Sequence, residues 1–245
     1  METDAPDRHL TFESAFNVRD LGGYAAAGGR TTAWRTLYRG DGVHRLPVEA
    51  FAELGVRTVI DLRTPEEVEH RGRVDHDGLD WHNLPVIKRM WEADWFLEGT
   101  APERFLADRY LEMADEGGPE LGTCLRLLAD ADRVPALFHC AAGKDRTGVL
   151  AALVLSLLGV DDDTVAADYG LSRLGMAALE AFVRERMPDA DAMQQQPSVF
   201  MDAPEAAMHV FLADLRSLHG SVEAYAASVG AGPDVVAELR ANLLD

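Results

Sequence analysis

Cysteine, lysine, aspartate and arginine stand within seven consecutive positions of ALFHCAAGKDRTGVLAALVL, residues 136–155. Cys140 is a nucleophile once ionised, and cations together with a helix N-terminus favour its thiolate. Arg146, six residues on, carries a planar fork that holds two oxygens of a phosphoryl group, a geometry no lysine matches. Between them, the N–H groups from Ala141 through Ala142 to Arg146 can form a nest around an anion, with Gly143 permitting the turn. Phosphoryl transfer asks for this set, because its catalysis is mostly positioning and stabilisation of the equatorial oxygens. Attack by Cys140, followed by hydrolysis of a phosphocysteine, is the implied route. The leaving oxygen needs a proton, and Asp145 is the nearest carboxyl. Lys144 would add positive charge at the rim or hold a carboxylate such as Asp61. Thr147 would hydrogen-bond the thiolate sulfur.

Spacing alone is a weak signal, since a cysteine and an arginine meet it by chance. The added weight comes from His139 before, Gly-Lys-Asp inside and Thr-Gly after. Cys124, among leucines on an amphipathic stretch, reads as a plain core residue. His139 is expected to satisfy loop backbone groups more than to act as a base. Asp61 and Arg63 keep two readings, a structural ion pair bracing the loop or a direct role with Asp61 as the acid. Arg19 and Asp20 read as a pair fixing an N-terminal hairpin. The run Asp161 to Asp163 reads as a helix cap, and no histidines share ligand spacing, so no metal site is expected.

A strand must end at the cysteine and a helix must begin beside the arginine. VPALFH (134–139) has the apolar content of a buried strand. TGVLAALVLSLLG (147–159) is apolar nearly all round, which predicts a central buried helix starting near Thr147. Ligands of open α/β sheets bind at the carboxyl ends of strands, where this loop would lie. VRTVIDLR (56–63) predicts a second strand ending in Asp61 and Arg63, and LDWHNLPV (79–86) a third. VEAFAELG (48–55), PEEVEHRG (65–72) and ELGTCLRLLAD (120–130) read as helices. Near the start, paired glycines and the strand-forming run Thr31 to Tyr38 predict a hairpin. Residues 88–118 read as short helices in which Trp91 and Trp95 are either core or lid. The chain beyond residue 160 is helical in character, interrupted by the polar PDADAMQQQPS (188–198), a mobile-loop candidate. The expected class is α/β: a central, mainly parallel sheet flanked by helices, an N-terminal hairpin and a helical C-terminal region, in one domain over 1–245.

A formal net charge of −19 makes nucleic-acid backbones and anionic membranes poor partners, while one locally positive pocket still admits a small anion. The chain's only lysines are Lys88 and Lys144, and the second sits in the loop. No run approaches about 20 apolar residues, so no membrane span is expected. The N-terminus lacks the basic-then-apolar pattern of a signal peptide. Two cysteines make no disulfide framework, and a reduced, cytoplasmic setting is expected, with export by a signal-independent route left open.

HCAAGKDRTG (139–148) resembles the Cys-x5-Arg signature of protein tyrosine phosphatases, and its Gly-Lys-Asp-Arg-Thr form is similar to an atypical bacterial family of these enzymes. FNVRDLGGY (16–24), LYRGD (37–41), VIDLRTPEEV (59–68) and DYGLSR (168–173) resemble further landmarks of that family. The resemblance implies a tyrosine phosphatase-like fold. It implies activity on phosphotyrosine and, in some members, on phosphoserine, phosphothreonine and phosphoinositides, with no metal or cofactor. It carries over Cys140 as nucleophile, Arg146 as phosphate-binding arginine, and Lys144 and Asp145 as the loop pair. The broader superfamily draws its proton from a Trp-Pro-Asp loop; this chain has no such triplet, and the family's substitute is the loop aspartate, here Asp145. Family members also cover the site with helical lids, for which 88–118 and 180–210 are the candidates.

The expected function is a cysteine-dependent phosphatase for phosphorylated protein or phosphoinositide. A catalytically silent phospho-binding module is the alternative, and the complete set of Cys140, Asp145 and Arg146 argues against it, since a binder has no need of the nucleophile. Arsenate reduction would want a second thiol nearby, and Cys124 is distant in pattern. Sulfur-transfer loops do not usually carry this Gly-Lys-Asp-Arg-Thr-Gly run. Oligomeric state is not legible.

Overall fold

Alternation along the buried strands decides what each side of the sheet packs against. The computed structural model describes residues 7–91, 95–96, 99–186 and 198–245. Its strands are β1 (Arg19–Asp20), β2 (Leu37–Asp41), β3 (Thr58–Asp61), β4 (Asp80–Asn83) and β5 (Ala136–Cys140). They form one five-stranded sheet in the order β1-β2-β5-β3-β4, parallel throughout except for β1 against β2. Val59 and Leu137 point to one face, where α1 (Val48–Leu54) contributes Ala50 and Phe51. Ile60 and Phe138, one residue on, point to the other face and its thick helical layer.

That layer is centred on α5 (Asp145–Leu158), whose residues from Arg146 to Leu155 are all buried. A helix apolar all round can only be covered on all sides. The cover comes from α3 (Pro102–Glu116), α4 (Gly118–Ala129), α6 (Asp162–Gly170), α9 (Glu205–His219), α10 (Val222–Ser228) and α11 (Pro233–Asn242). The remaining helices are α2 (Pro65–Arg71), α7 (Ser172–Arg186) and the single turn α8 (Ser198–Met201). Asp161 caps α6 by accepting from the Thr164 N–H at 2.9 Å, as the acidic run suggests. Cys124 is fully buried in the core, and burial pushes its thiol pKa up.

Three expectations need correction. The helix after the loop begins at Asp145, not near Thr147, so Asp145 and Arg146 stand on its first turn, where the dipole favours an acidic side chain. The run Thr31 to Tyr38 is not one strand: it makes isolated bridges at Thr31 and Thr32, then turns through Arg35 at φ 58° before β2. Trp34 causes the break by folding over the Gly22–Gly23 pair, where an added Cβ on either glycine would lie 2.5 Å from it. Within 88–118, α3 is largely a core element, with Leu106 and Tyr110 fully buried. The mobile-loop candidate at 188–198 falls almost wholly outside the described residues, as do residues 187–197 of the 180–210 lid candidate. Among the described residues, no helix is long and apolar enough to cross a membrane, and no group of three His, Cys, Asp or Glu side chains is placed to hold a metal.

Candidate active site

The parallel register delivers Cys140 to the carboxyl edge of the sheet, beside Asp41, with His139 beside Asp61. The loop then turns through Gly143 at φ 66°, a left-handed conformation that glycine adopts without penalty. A side chain there is excluded a second time, because a Cβ would lie 2.7 Å from the Gly40 carbonyl. The loop's carbonyls are tied from beneath. Asn17 Nδ2 donates to Ala142 O at 3.0 Å, and Arg39 Nη2 donates to Gly143 O at 2.9 Å. The N–H groups of residues 141–147 donate to no other described group. They are therefore free for an anion at the start of α5.

Above the loop lies a cleft of about 190 Å³ lined by Cys140, Ala141, Ala142, Asp145 and Arg146, with Ile87, Met90, Trp91 and Phe200 as an apolar wall. Cys140 is 2% exposed at its floor. Arg146 is held by Glu67, whose carboxylate accepts from Nη1 at 2.5 Å and Nη2 at 3.0 Å. Burial opposes the Arg146 charge, and Cys140 and Glu67 outweigh it, holding the guanidinium protonated. Burial would likewise raise the Glu67 pKa, but Arg146 holds it below the usual range. Glu67 is the functional residue that sequence reasoning missed. Its visible signal is the capping box Thr64-x-x-Glu67, in which the same carboxylate accepts from the Thr64 N–H at 2.9 Å. Its partner lies 79 positions away, a pairing only the fold displays.

Asp145 lines the cleft, and its Oδ1 accepts from the Tyr110 hydroxyl at 2.7 Å. Lys144 does not stand at the rim and does not reach Asp61. It is fully buried, and Nζ donates to the carbonyls of Val199, Phe200 and Asp202 at 3.3, 2.8 and 2.8 Å. An ammonium has three protons, so these carbonyls saturate it. Its Asp145 contact, Nζ to Oδ1 at 3.4 Å, is one of charge. Lys144 therefore ties the loop to α8 and sets the Phe200 wall.

Asp61 and Arg63 form a fully buried ion pair at 2.6 Å that does not line the cleft. Burial works against the Asp61 charge, but Arg63 and the neighbouring His139 hold its pKa low. His139 Nδ1 sits 3.2 Å from Cys140 O and Nε2 is 3.5 Å from Asp61. Burial pushes the His139 pKa down to about 4, so the ring is neutral at pH 7. Thr147 is buried, and its Oγ1 has no hydrogen-bond partner among the described residues.

Arg19 does not pair with Asp20. It crosses beneath the loop to Asp168, with Nε to Oδ1 at 3.0 Å, while Asp20 accepts from the backbone N–H groups of Gly22 and Arg35. Arg39 reaches the other Asp168 oxygen at 2.5 Å, and the Tyr24 hydroxyl donates to the first at 2.9 Å. Burial would raise the Asp168 pKa, and the two arginines hold it below the usual carboxylate range. Burial, then Arg19, pushes the Arg39 pKa down to about 10 despite Asp168.

A thiol between a parallel strand and a helix N-terminus, with a clamped arginine six residues on and a ring of free N–H groups, defines a phosphatase of the Cys-x5-Arg class. The chain belongs to the tyrosine phosphatase family, whose model matches residues 10–245. It is 31% identical to the triple specificity protein phosphatase PtpB of Mycobacterium tuberculosis, covering 94% of this chain and 97% of that protein. It is 28% identical to a tyrosine-protein phosphatase of Nostoc commune, over 80% of this chain and 68% of that one. A distant likeness is to P. aeruginosa TpbA, solved as a Cys-to-Ser variant with phosphotyrosine, at 18% identity and a TM-score of 0.33 over 75% of this chain and 88% of that one. The chain is accordingly a protein-tyrosine phosphatase, a phosphoric monoester hydrolase.

Proposed function

We propose that this enzyme hydrolyses phosphotyrosine, with phosphoserine, phosphothreonine or phosphoinositides as further substrates, through a phosphocysteine intermediate. The observation that carries the reading is the shared cleft: Cys140, Asp145 and Arg146 line one cavity at the start of α5. Its apolar wall of Ile87, Met90, Trp91 and Phe200 suits a phenyl ring. In the first step Cys140 Sγ bonds to phosphorus as the phosphorus–oxygen bond breaks. The electron pair passes to the leaving oxygen, which takes the Asp145 proton. Arg146 and the N–H groups of residues 141–146 stabilise the equatorial oxygens. In the second step water gives a proton to the Asp145 carboxylate and attacks phosphorus. The sulfur–phosphorus bond then breaks and returns the thiolate. Asp61 suits the acid role less, because Arg63 occupies both of its oxygens and it lies outside the cleft lining.

Cys140→Ser is expected to abolish turnover of an aryl phosphate while phosphate binding survives; undiminished turnover would sink the mechanism. Asp145→Asn is expected to slow alkyl phosphates by about 10²- to 10⁴-fold, and aryl phosphates with good leaving groups far less. Equal slowing of both would remove Asp145 as the acid.

A further inference from the structure

Two buried tyrosines that the mechanism does not use stand directly behind Asp145. Tyr110 of α3 is fully buried and donates its hydroxyl proton to Asp145 Oδ1 at 2.7 Å. Tyr169 of α6, 1% exposed, places its hydroxyl 2.6 Å from that of Tyr110. A hydroxyl has one proton to give. Tyr110 gives its proton to the carboxylate, so Tyr169 must be the donor to Tyr110. The chain therefore has a direction, from Tyr169 to Tyr110 to Asp145 Oδ1. The fold makes room for it, since a Cβ on Gly148 would lie 2.9 Å from the Tyr169 ring.

Oδ1 also faces the saturated Lys144 ammonium at 3.4 Å. Oδ2 has no hydrogen-bond partner among the described residues, and the side chain is 20% exposed. A proton on Oδ1 would collide with the Tyr110 proton; one on Oδ2 meets none. We propose that Tyr110 and Tyr169 are positioning residues that orient Asp145, so that Oδ2 is the atom that gives the proton to the leaving oxygen and recovers one from water. This rests on Asp145 being the general acid.

The other ionisable groups around the carboxyl are Cys140, Lys144 and Arg146 of its own loop, with Arg39 and Asp202 acting on Tyr169. Burial, with Asp145 adding to it, raises the pKa values of both tyrosines well above the ordinary range, so neither loses its proton under assay conditions.

The test is Tyr110→Phe, with Tyr169→Phe beside it, assayed on one alkyl phosphate and one aryl phosphate with a good leaving group. Losing a hydrogen bond to a charged group should lower kcat/KM for the alkyl substrate about tenfold in Tyr110→Phe. The aryl substrate should change by less than about threefold. Tyr169→Phe should do the same more weakly. Equal loss on both substrates in both variants overturns the proposal and leaves the tyrosines structural. Asp145→Asn separates this from failure of the underlying reading. If it shows the leaving-group dependence and the tyrosine variants do not, the acid stands and its positioning falls. If it shows none, the acid itself falls.

Discussion

The two sides of the Cys140–Arg146 loop are built on opposite principles. Beneath it the contacts are charged and buried: Asp168 takes Arg19, Arg39 and Tyr24, and Arg39 and Asn17 hold two loop carbonyls. Above it the wall is apolar and open, with Met90 48% exposed. That wall is joined to the loop chiefly through Lys144 and to the core through the Phe105–Phe200 and Trp91–Tyr110 ring contacts, at 5.8 and 6.1 Å. The lower side has the directional bonds that fix where N–H groups aim. The upper side has shape and apolar surface, which can receive a ring but cannot aim an N–H group. The loop's geometry and the apolar wall are thus built from different residues, and each can be broken separately.

The largest break is expected below the loop. Asp168→Asn leaves Arg19 and Arg39 buried without a carboxylate, which costs about 3–5 kcal/mol for a buried pair broken from one side. Denaturant unfolding measures it. The pH dependence has a fixed sign. A carboxylate held below its usual pKa stabilises the fold above about pH 4 and loses that contribution as pH falls toward its folded value. Wild-type stability should therefore drop on the acid side, and Asp168→Asn should flatten that slope. An unchanged slope would show that other carboxylates dominate it.

Glu67→Gln tests the junction between the two sides. Glutamine keeps the capping-box geometry with Thr64, and Arg146 borders an open cleft that water can reach, so stability should fall by less than in Asp168→Asn. The charge that clamps Arg146 is lost, and kcat/KM for an aryl phosphate should fall about tenfold. A rise instead would mean that Glu67 competes with substrate for the guanidinium.

Which of these parts the sequence discloses follows from the range of the interactions. The strand at 134–139, the loop and the apolar helix are periodic and local, so Cys140, Asp145 and Arg146 could be named from one stretch. The α/β class followed from strands alternating with helices. What stayed hidden is long-range. Lys144 is adjacent to Asp145 in sequence, yet its side chain ends on carbonyls 55 to 58 positions away. Arg19 beside Asp20 suggested a pair, but a strand points neighbours to opposite faces, and Arg19 found Asp168 instead. Glu67 lies in the first turn of a helix the sequence predicts, where it completes the capping box of Thr64. Its second bond, to Arg146, needs β3 and β5 side by side before it can be seen.

The smallest break sharpens the upper side. Phe200 lines the cleft and meets Phe105 edge-on, while Lys144 holds the main chain of α8 and not its side chains. Phe200→Ala should therefore leave α8 and the loop in place and remove only apolar wall. An aromatic contact of about 1 kcal/mol corresponds to roughly a fivefold rise in KM for aryl phosphates. An alkyl phosphate of the same charge has no ring to lose contact with, so its KM should stay within about twofold. Inhibition by inorganic phosphate, which reports the loop alone, should not move. A rise shared by all three ligands would mean that Phe200 supports the loop through its link to Lys144, and the two sides would then be one mechanical unit.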